Sequence, residues 1–84
     1  MLHMYNFISF VKRGKIRKKV LSSLNKPQTP TDLAHKIGTH RSTTSRTLIE
    51  LEKKGLVECI TPKENMGRFY RITDRGKKVI KEIS

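Results

Sequence analysis

A run of small hydroxyl and basic side chains carries the most distinctive chemistry in this 84-residue sequence. The run is Thr39-His40-Arg41-Ser42-Thr43-Thr44-Ser45-Arg46. Its arginines can donate to phosphate or guanine, and its small hydroxyl residues let a helix approach base edges or phosphates closely. If a helix begins here, its free backbone N–H groups also attract anions. The run therefore predicts a surface for a negatively charged partner, although its hydroxyl groups could instead merely cap and solvate the helix start.

The charge of the chain favours a polyanionic partner. Nineteen lysine and arginine residues against seven aspartate and glutamate residues leave a formal net charge of +12. The stretch from Lys12 to Lys19 is the densest in positive charge, and such self-repulsion usually persists because a polyanion relieves it. The only acid in residues 1–49 is Asp32. We interpret nucleic acid as the first candidate partner and an anionic membrane surface as the second.

Several classes of protein are disfavoured by what the sequence lacks. The single cysteine, Cys59, allows no intramolecular disulfide. His3, His35 and His40 have no metal-ligand spacing, so no bound metal is expected. The chain has no glycine-rich phosphate loop and little room for a substrate pocket, so we expect neither enzymatic activity nor a cofactor. No apolar run approaches the roughly 18 residues of a membrane span, which predicts a soluble, cytoplasmic protein. Of the two candidate partners we expect nucleic acid and no membrane.

Apolar spacing and capping residues predict the elements that precede the polar run. An amphipathic helix is predicted over about residues 9–25, and the apolar arm of residues 1–10 either extends it or forms a short separate helix. This arm is a possible dimer contact. Thr29 is predicted to cap a second helix, Pro30 suits its first position, and Gly38 ends it.

The polar run begins a third helix, predicted over about residues 41–54 and ended by Gly55. At about 100° per residue, Thr44, Leu48 and Leu51 fall on one side and define its buried stripe. The second and third helices, with the short turn between them, have the dimensions of a helix-turn-helix. In that motif the second helix enters the major groove of DNA.

The last third of the chain predicts a hairpin and a closing helix. Leu56–Ile60 and Arg68–Thr73 have strand character, and the residues between them favour a turn. A final helix is predicted over about residues 74–83. The fold class is therefore mainly α with a small β-hairpin (α+β), built from a three-helix core, the hairpin and a C-terminal helix.

Four strings, in this order and spacing, resemble the winged helix-turn-helix transcriptional regulators of the MarR/ArsR kind, particularly the short archaeal versions. They are Thr29-Pro30-Thr31-Asp32-Leu33-Ala34, Ser42-Thr43-Thr44-Ser45-Arg46-Thr47-Leu48, Leu51-Glu52-Lys53-Lys54-Gly55-Leu56-Val57 and Gly67-Arg68-Phe69-Tyr70-Arg71-Ile72-Thr73-Asp74-Arg75-Gly76-Lys77. The resemblance implies a winged helix DNA-binding domain over residues 11–84. Within it, the recognition helix spans about 41–54, the wing about 56–73 and the C-terminal helix about 74–83.

The resemblance also implies which residues contact DNA. Lys63 and Arg68 lie where a wing of this family meets the phosphate backbone or the minor groove, and an arginine in a narrow minor groove responds to DNA shape. The expected DNA-binding residues are Thr31, His40, Arg41, Ser42, Thr43, Ser45, Arg46, Lys63 and Arg68.

The expected function is a sequence-specific regulator that binds double-stranded DNA, acting as a repressor and as a homodimer on a palindromic site. One helix-turn-helix contacts only about four or five base pairs, so two-fold pairing is needed to specify a site in a genome. Met4–Val11 and Lys77–Ile83 are the expected dimer surfaces. Two alternatives stay open: a basic RNA- or ribosome-associated protein, and a winged helix that mediates protein contacts in the transcription machinery.

Overall fold

The computed structural model describes the backbone of residues 2–61 and 68–83, with side chains from residue 6 onward. Within these residues, five helices and two strands follow one another along the chain. They are α1 (Leu2–Lys12), α2 (Lys15–Ser23), α3 (Pro30–Ile37), α4 (Arg41–Lys53), β1 (Val57–Cys59), β2 (Tyr70–Ile72) and α5 (Asp74–Ile83). The mainly helical architecture with one antiparallel hairpin confirms the predicted fold class.

The single helix predicted over residues 9–25 is divided in two, so that prediction is wrong. Gly14 has extended backbone angles (φ −121°, ψ 116°) and forms the N-cap of α2. Its amide donates to the carbonyl of Val11 at 3.2 Å, which closes α1. Glycine loses more conformational freedom in a helix than other residues, so it suits a break. The break lets Val11 of α1 and Val20 of α2 both reach the core, where each is 0% exposed.

Local capping chemistry sets the ends of α3 and α4. The Thr29 hydroxyl accepts a hydrogen bond from the Asp32 amide at 3.1 Å, as predicted. Gly38 follows α3 with φ 71°, and Gly55 follows α4 with φ 74°. These left-handed conformations end helices at little steric cost only when the residue is glycine.

The core lies where α4 packs against α2 and α3 and where the hairpin meets α5. Its fully buried side chains are mostly leucine and valine: Val11, Val20, Leu21, Leu24, Leu33, Leu48, Leu51, Leu56, Val57 and Val79. Thr44 is also 0% exposed, and its hydroxyl donates to the His40 carbonyl at 3.0 Å. A buried hydroxyl with a partner avoids the cost of an unsatisfied polar group. The predicted stripe of α4 therefore faces the core.

Gln28, which no sequence pattern had indicated, anchors the hairpin to the rest of the fold. Val57 pairs with Ile72 and Cys59 with Tyr70, in antiparallel register. On the other edge, the amide of Gln28 donates to the Tyr70 carbonyl at 3.0 Å, and the Tyr70 amide donates back to Gln28 at 2.9 Å. These two bonds join the hairpin to the segment that links α2 to α3.

Candidate nucleic-acid interface

Helix α4 has one face in the core and a basic, hydroxyl-rich face in solvent. On the solvent side, Arg41, Ser42 and Arg46 are exposed, while Thr43 and Ser45 are half-buried at its edge. The opposite side carries the buried threonine and leucine residues of the core. The buried face packs on α2 and α3, so the exposed side chains project from the opposite side of the helix.

The N-terminus of α4 is open, in contrast with that of α3. The Thr29 side chain caps α3, whereas the side chain of His40, at the N-cap of α4, makes no capping hydrogen bond. The first N–H groups of a helix have no partner within the helix, and the helix dipole makes that end positive. The first turn of α4 therefore presents donors that suit a phosphate oxygen.

The structure brings three predicted contact residues together beside this N-terminus. Thr31, His40 and Arg41 line an open recess of about 230 Å³ between the start of α3 and the start of α4. Ala34 and His35 of α3 complete its wall on one side. The start of α3 thus lies next to the N-terminus of α4, so polar groups of both helices lie on one surface.

The hairpin contributes one described residue, Arg68, which is exposed just before β2. Burial raises the pKa of the Tyr70 phenol above its ordinary value, and a hydrogen bond with Arg68 partly opposes that shift. The phenol therefore stays protonated at neutral pH, and Arg68 is held close to the strand. The predicted contact Lys63 lies outside the described residues.

Two arginines that add to the positive charge are occupied within the protein. Arg17, inside the basic stretch, donates to the Phe10 carbonyl at 2.8 Å and pairs with Glu50, whose Oε1 lies 3.3 Å from its Nε. Arg71 pairs across the hairpin with Glu58, at 2.7 Å between Nη2 and Oε1. Each guanidinium must exchange an internal partner before it can contact a polyanion, and the exposed Arg71–Glu58 pair is the weaker of the two. Glu50 follows Arg17 by 33 residues, so no local pattern could have indicated their contact.

The exposed lysines of the basic stretch remain directed to solvent. Lys12, Lys15, Lys18 and Lys19 are all exposed. In residues 2–61 and 68–83, no helix is long and apolar enough to cross a bilayer. Among the same described residues, no three histidine, cysteine or acidic side chains are grouped so that they could hold a metal ion.

Solved structures of MarR-family regulators share this fold. The MarR family transcription regulator SP03579 is 27% identical, with a TM-score of 0.75 over 94% of this chain and 59% of that chain. YusO from Bacillus subtilis is 19% identical, with a TM-score of 0.78 over 96% of this chain and 60% of its own. A mutant of MarR from E. coli, solved in complex with operator DNA, is 23% identical, with a TM-score of 0.74 over 95% of this chain and 59% of its own.

The chain spans about three-fifths of the length of these three proteins. Their likeness confirms the predicted winged helix of the MarR-like kind, while the short archaeal type stays a prediction. A comparison with curated proteins gave no match.

A family model described as the HVO_A0261 N-terminal domain matches residues 6–84. The match runs from within α1 to the end of the chain, so it includes α4, the hairpin and α5. The chain therefore belongs to the HVO_A0261 N-terminal domain family.

Proposed function

We propose that the chain is a transcriptional regulator that binds double-stranded DNA, with α4 in the major groove and the hairpin against the flanking backbone. The observation that carries this proposal is the exposed face of α4, where Arg41, Ser42 and Arg46 surround an uncapped helix N-terminus. The fold supports the same placement, since a structurally similar MarR protein was solved with operator DNA. Base edges in the major groove offer the acceptors that these side chains require.

The regulator acts as a homodimer on a palindromic site. Helices α1 and α5 pack together at the side of the molecule formed by the two chain ends. Phe7, Ile8, Ile80 and Ile83 on these helices are only partly buried within one copy. A second copy would bury more of this apolar surface, and two-fold symmetry would place the two half-sites about 34 Å apart. We propose a repressor role for this dimer, in which the bound protein blocks access to the DNA that it covers.

The test is to enrich random duplexes for binders and to compete the selected duplex against shuffled duplex and against RNA. We expect a palindrome whose half-sites are centred about 10 base pairs apart and which resists excess competitor. Equal competition by RNA would instead support an RNA-associated protein. Absence of any enriched duplex would support a winged helix that contacts proteins. Sedimentation should give a dimer on DNA, and a monomer at micromolar concentration with and without DNA would contradict the homodimer.

Two arginine substitutions are expected to have different effects on DNA binding. Arg46→Ala should cost about 1–3 kcal/mol on the selected duplex and relax sequence preference, because a guanidinium on α4 contacts base edges. Arg68→Ala should weaken selected and shuffled duplexes by similar factors, because a residue of the wing contacts phosphates. Binding titrations on both duplexes measure the difference.

The matched control for this pair is Arg71→Ala. Arg71 is exposed in β2, close to Arg68 along the chain, but its guanidinium is already paired with Glu58. We expect this variant to bind both duplexes almost as well as the original protein. If each of the variants Arg46→Ala and Arg68→Ala lowered the affinity for the selected duplex and for the shuffled duplex by the same factor, the proposal of separate roles would be wrong.

A further inference from the structure

Arg17 connects three helices at one point. Its side chain begins on α2, donates to the Phe10 carbonyl of α1 at 2.8 Å, and donates from Nε and Nη2 to the Glu50 carboxylate of α4 at 3.3 and 3.4 Å. The Arg17 side chain is 23% exposed and that of Glu50 is 41% exposed. Because the guanidinium donates to both oxygens of the carboxylate, the contact fixes the relative orientation of the two side chains as well as their separation.

The Phe10 ring extends this connection to the end of α4. The guanidinium of Arg17 lies 3.9 Å from the ring centroid, and the ammonium of Lys54 lies 5.3 Å from it. Both distances suit a cation–π interaction. Lys54 is the C-cap residue of α4. We call Phe10, Arg17, Glu50 and Lys54 the Phe10 cluster, which ties α1 to the C-terminal part of α4.

The exposed residues of α4 that are proposed to face DNA lie in its N-terminal half, whereas the Phe10 cluster contacts its C-terminal end. The cluster therefore affects their position by setting the direction of the helix axis. Ser42 precedes Glu50 by eight residues, which corresponds to about 12 Å along an α-helix. Over that length, a tilt of about 5° displaces the N-terminus by about 1 Å. A single copy can shift as a rigid body to recover its hydrogen bonds to base edges. A dimer joined at its subunit contact cannot align both copies at once after such a displacement, because these bonds have a narrow range of distances.

We propose that Arg17 is a positioning residue, which sets the orientation of α4 relative to α1 and thereby the half-site spacing that the dimer accepts. This inference rests on the proposed function, since α1 forms the subunit contact together with α5. In a dimer, the angle between each α4 and the subunit contact decides where the two recognition helices meet the DNA. Arg17 contributes to this angle and not to phosphate binding.

The experiment compares Arg17→Gln, Arg17→Lys and Glu50→Gln with the original protein. The probes are the selected palindromic duplex, versions with one or two base pairs added or removed between the half-sites, and a duplex with a single half-site. Lys18→Gln is the matched control, because Lys18 is the exposed neighbour of Arg17. Urea unfolding of each variant gives its folded fraction, and affinities are expressed per folded molecule.

We expect Arg17→Gln and Glu50→Gln to bind the single half-site within about twofold of the original protein. Their preference for the selected spacing over a spacing longer by one base pair should fall about tenfold, within the range of coupling between contacting residues. Arg17→Lys keeps the positive charge but loses the two-point contact, so its preference should lie between those of Arg17→Gln and the original protein. Lys18→Gln removes an exposed cation, so it should lower the affinities for all duplexes by a similar factor and leave the preference unchanged.

Two results would overturn the positioning role. One is that Arg17→Gln keeps the spacing preference of the original protein while its slope of log affinity against log salt becomes smaller in magnitude by about one. That result would make Arg17 a phosphate ligand. The other is an equal loss on every duplex, including the single half-site, in both Arg17→Gln and Glu50→Gln. Failure of the original protein to select any duplex would instead reject the proposed function.

Discussion

Raising the NaCl concentration from about 50 to about 200 mM is expected to weaken binding to DNA by about 10³- to 10⁴-fold per subunit. Each lysine or arginine that neutralises a phosphate releases a condensed counterion, and added salt opposes that release. If about six to eight cations of a subunit contact phosphates, the slope of log affinity against log salt is about −5 to −7. Titrations of a labelled duplex at several salt concentrations measure this slope.

The described structure indicates which cations can contribute to the slope. Exposed candidates lie in α1, α2 and the turn between them, in α4 and before β2: Lys12, Arg13, Lys15, Lys18, Lys19, Arg41 and Arg68. Replacing Arg68 with glutamine should reduce the magnitude of the slope by about one, because Arg68 is the residue assigned to phosphates. Arg71→Gln should leave it unchanged, because Arg71 is paired with Glu58. A slope near −2 would contradict phosphate contact on this scale.

Gly76→Ala is expected to lower the free energy of unfolding by about 2 kcal/mol or more, because the added methyl group has no space. Gly76 is buried in the first turn of α5. An added Cβ would lie 2.7 Å from Cγ1 of Ile72 and still closer to the carbonyl oxygen of Leu56. That carbonyl accepts from the Thr73 amide at 3.0 Å, so it cannot move away without losing this bond. The higher helix propensity of alanine offsets about 1 kcal/mol of the clash.

Urea unfolding measures the effect of Gly76→Ala as a lower transition midpoint, with an unchanged slope of the free energy of unfolding against urea concentration. The matched control is Lys78→Ala, in the same helix at an exposed position. We expect that substitution to change stability by less than about 0.5 kcal/mol. Equal or greater stability of Gly76→Ala would show that α5 can move away from the hairpin, contrary to the close approach at this glycine.

Elements whose ends depend on neighbouring residues were predictable from the sequence. The α4 helix was expected over about residues 41–54 and spans Arg41–Lys53. Gly55, which follows the last turn, has the left-handed conformation that ends a helix. Thr29 caps α3 through a hydrogen bond to a residue only three positions away. Such signals depend only on residues a few positions apart, so they can be recognised in the sequence without knowledge of the tertiary structure.

Contacts between distant parts of the chain were not predictable in this way. Apolar spacing predicted one helix over residues 9–25, but Val11 and Val20 are nine residues apart, which would place them on opposite sides of a continuous helix. The structure divides this segment at Gly14, where the chain turns so that two short helices can pack on the same core. Likewise, the backbone bonds between Gln28 and Tyr70 join segments about 40 residues apart, and neither residue type indicates such a bond.

By itself the sequence determined the net charge, the order of the helices and the polar face of α4, because composition, periodicity and capping are local properties. Only the tertiary structure decided which cations remain available to a partner. Arg17 and Lys18 are adjacent in a basic run, yet the first is paired with Glu50 and the second is exposed. The physical reason is that an ion pair depends on the distance between two charges in space, and folding alone brings Arg17 and Glu50 together.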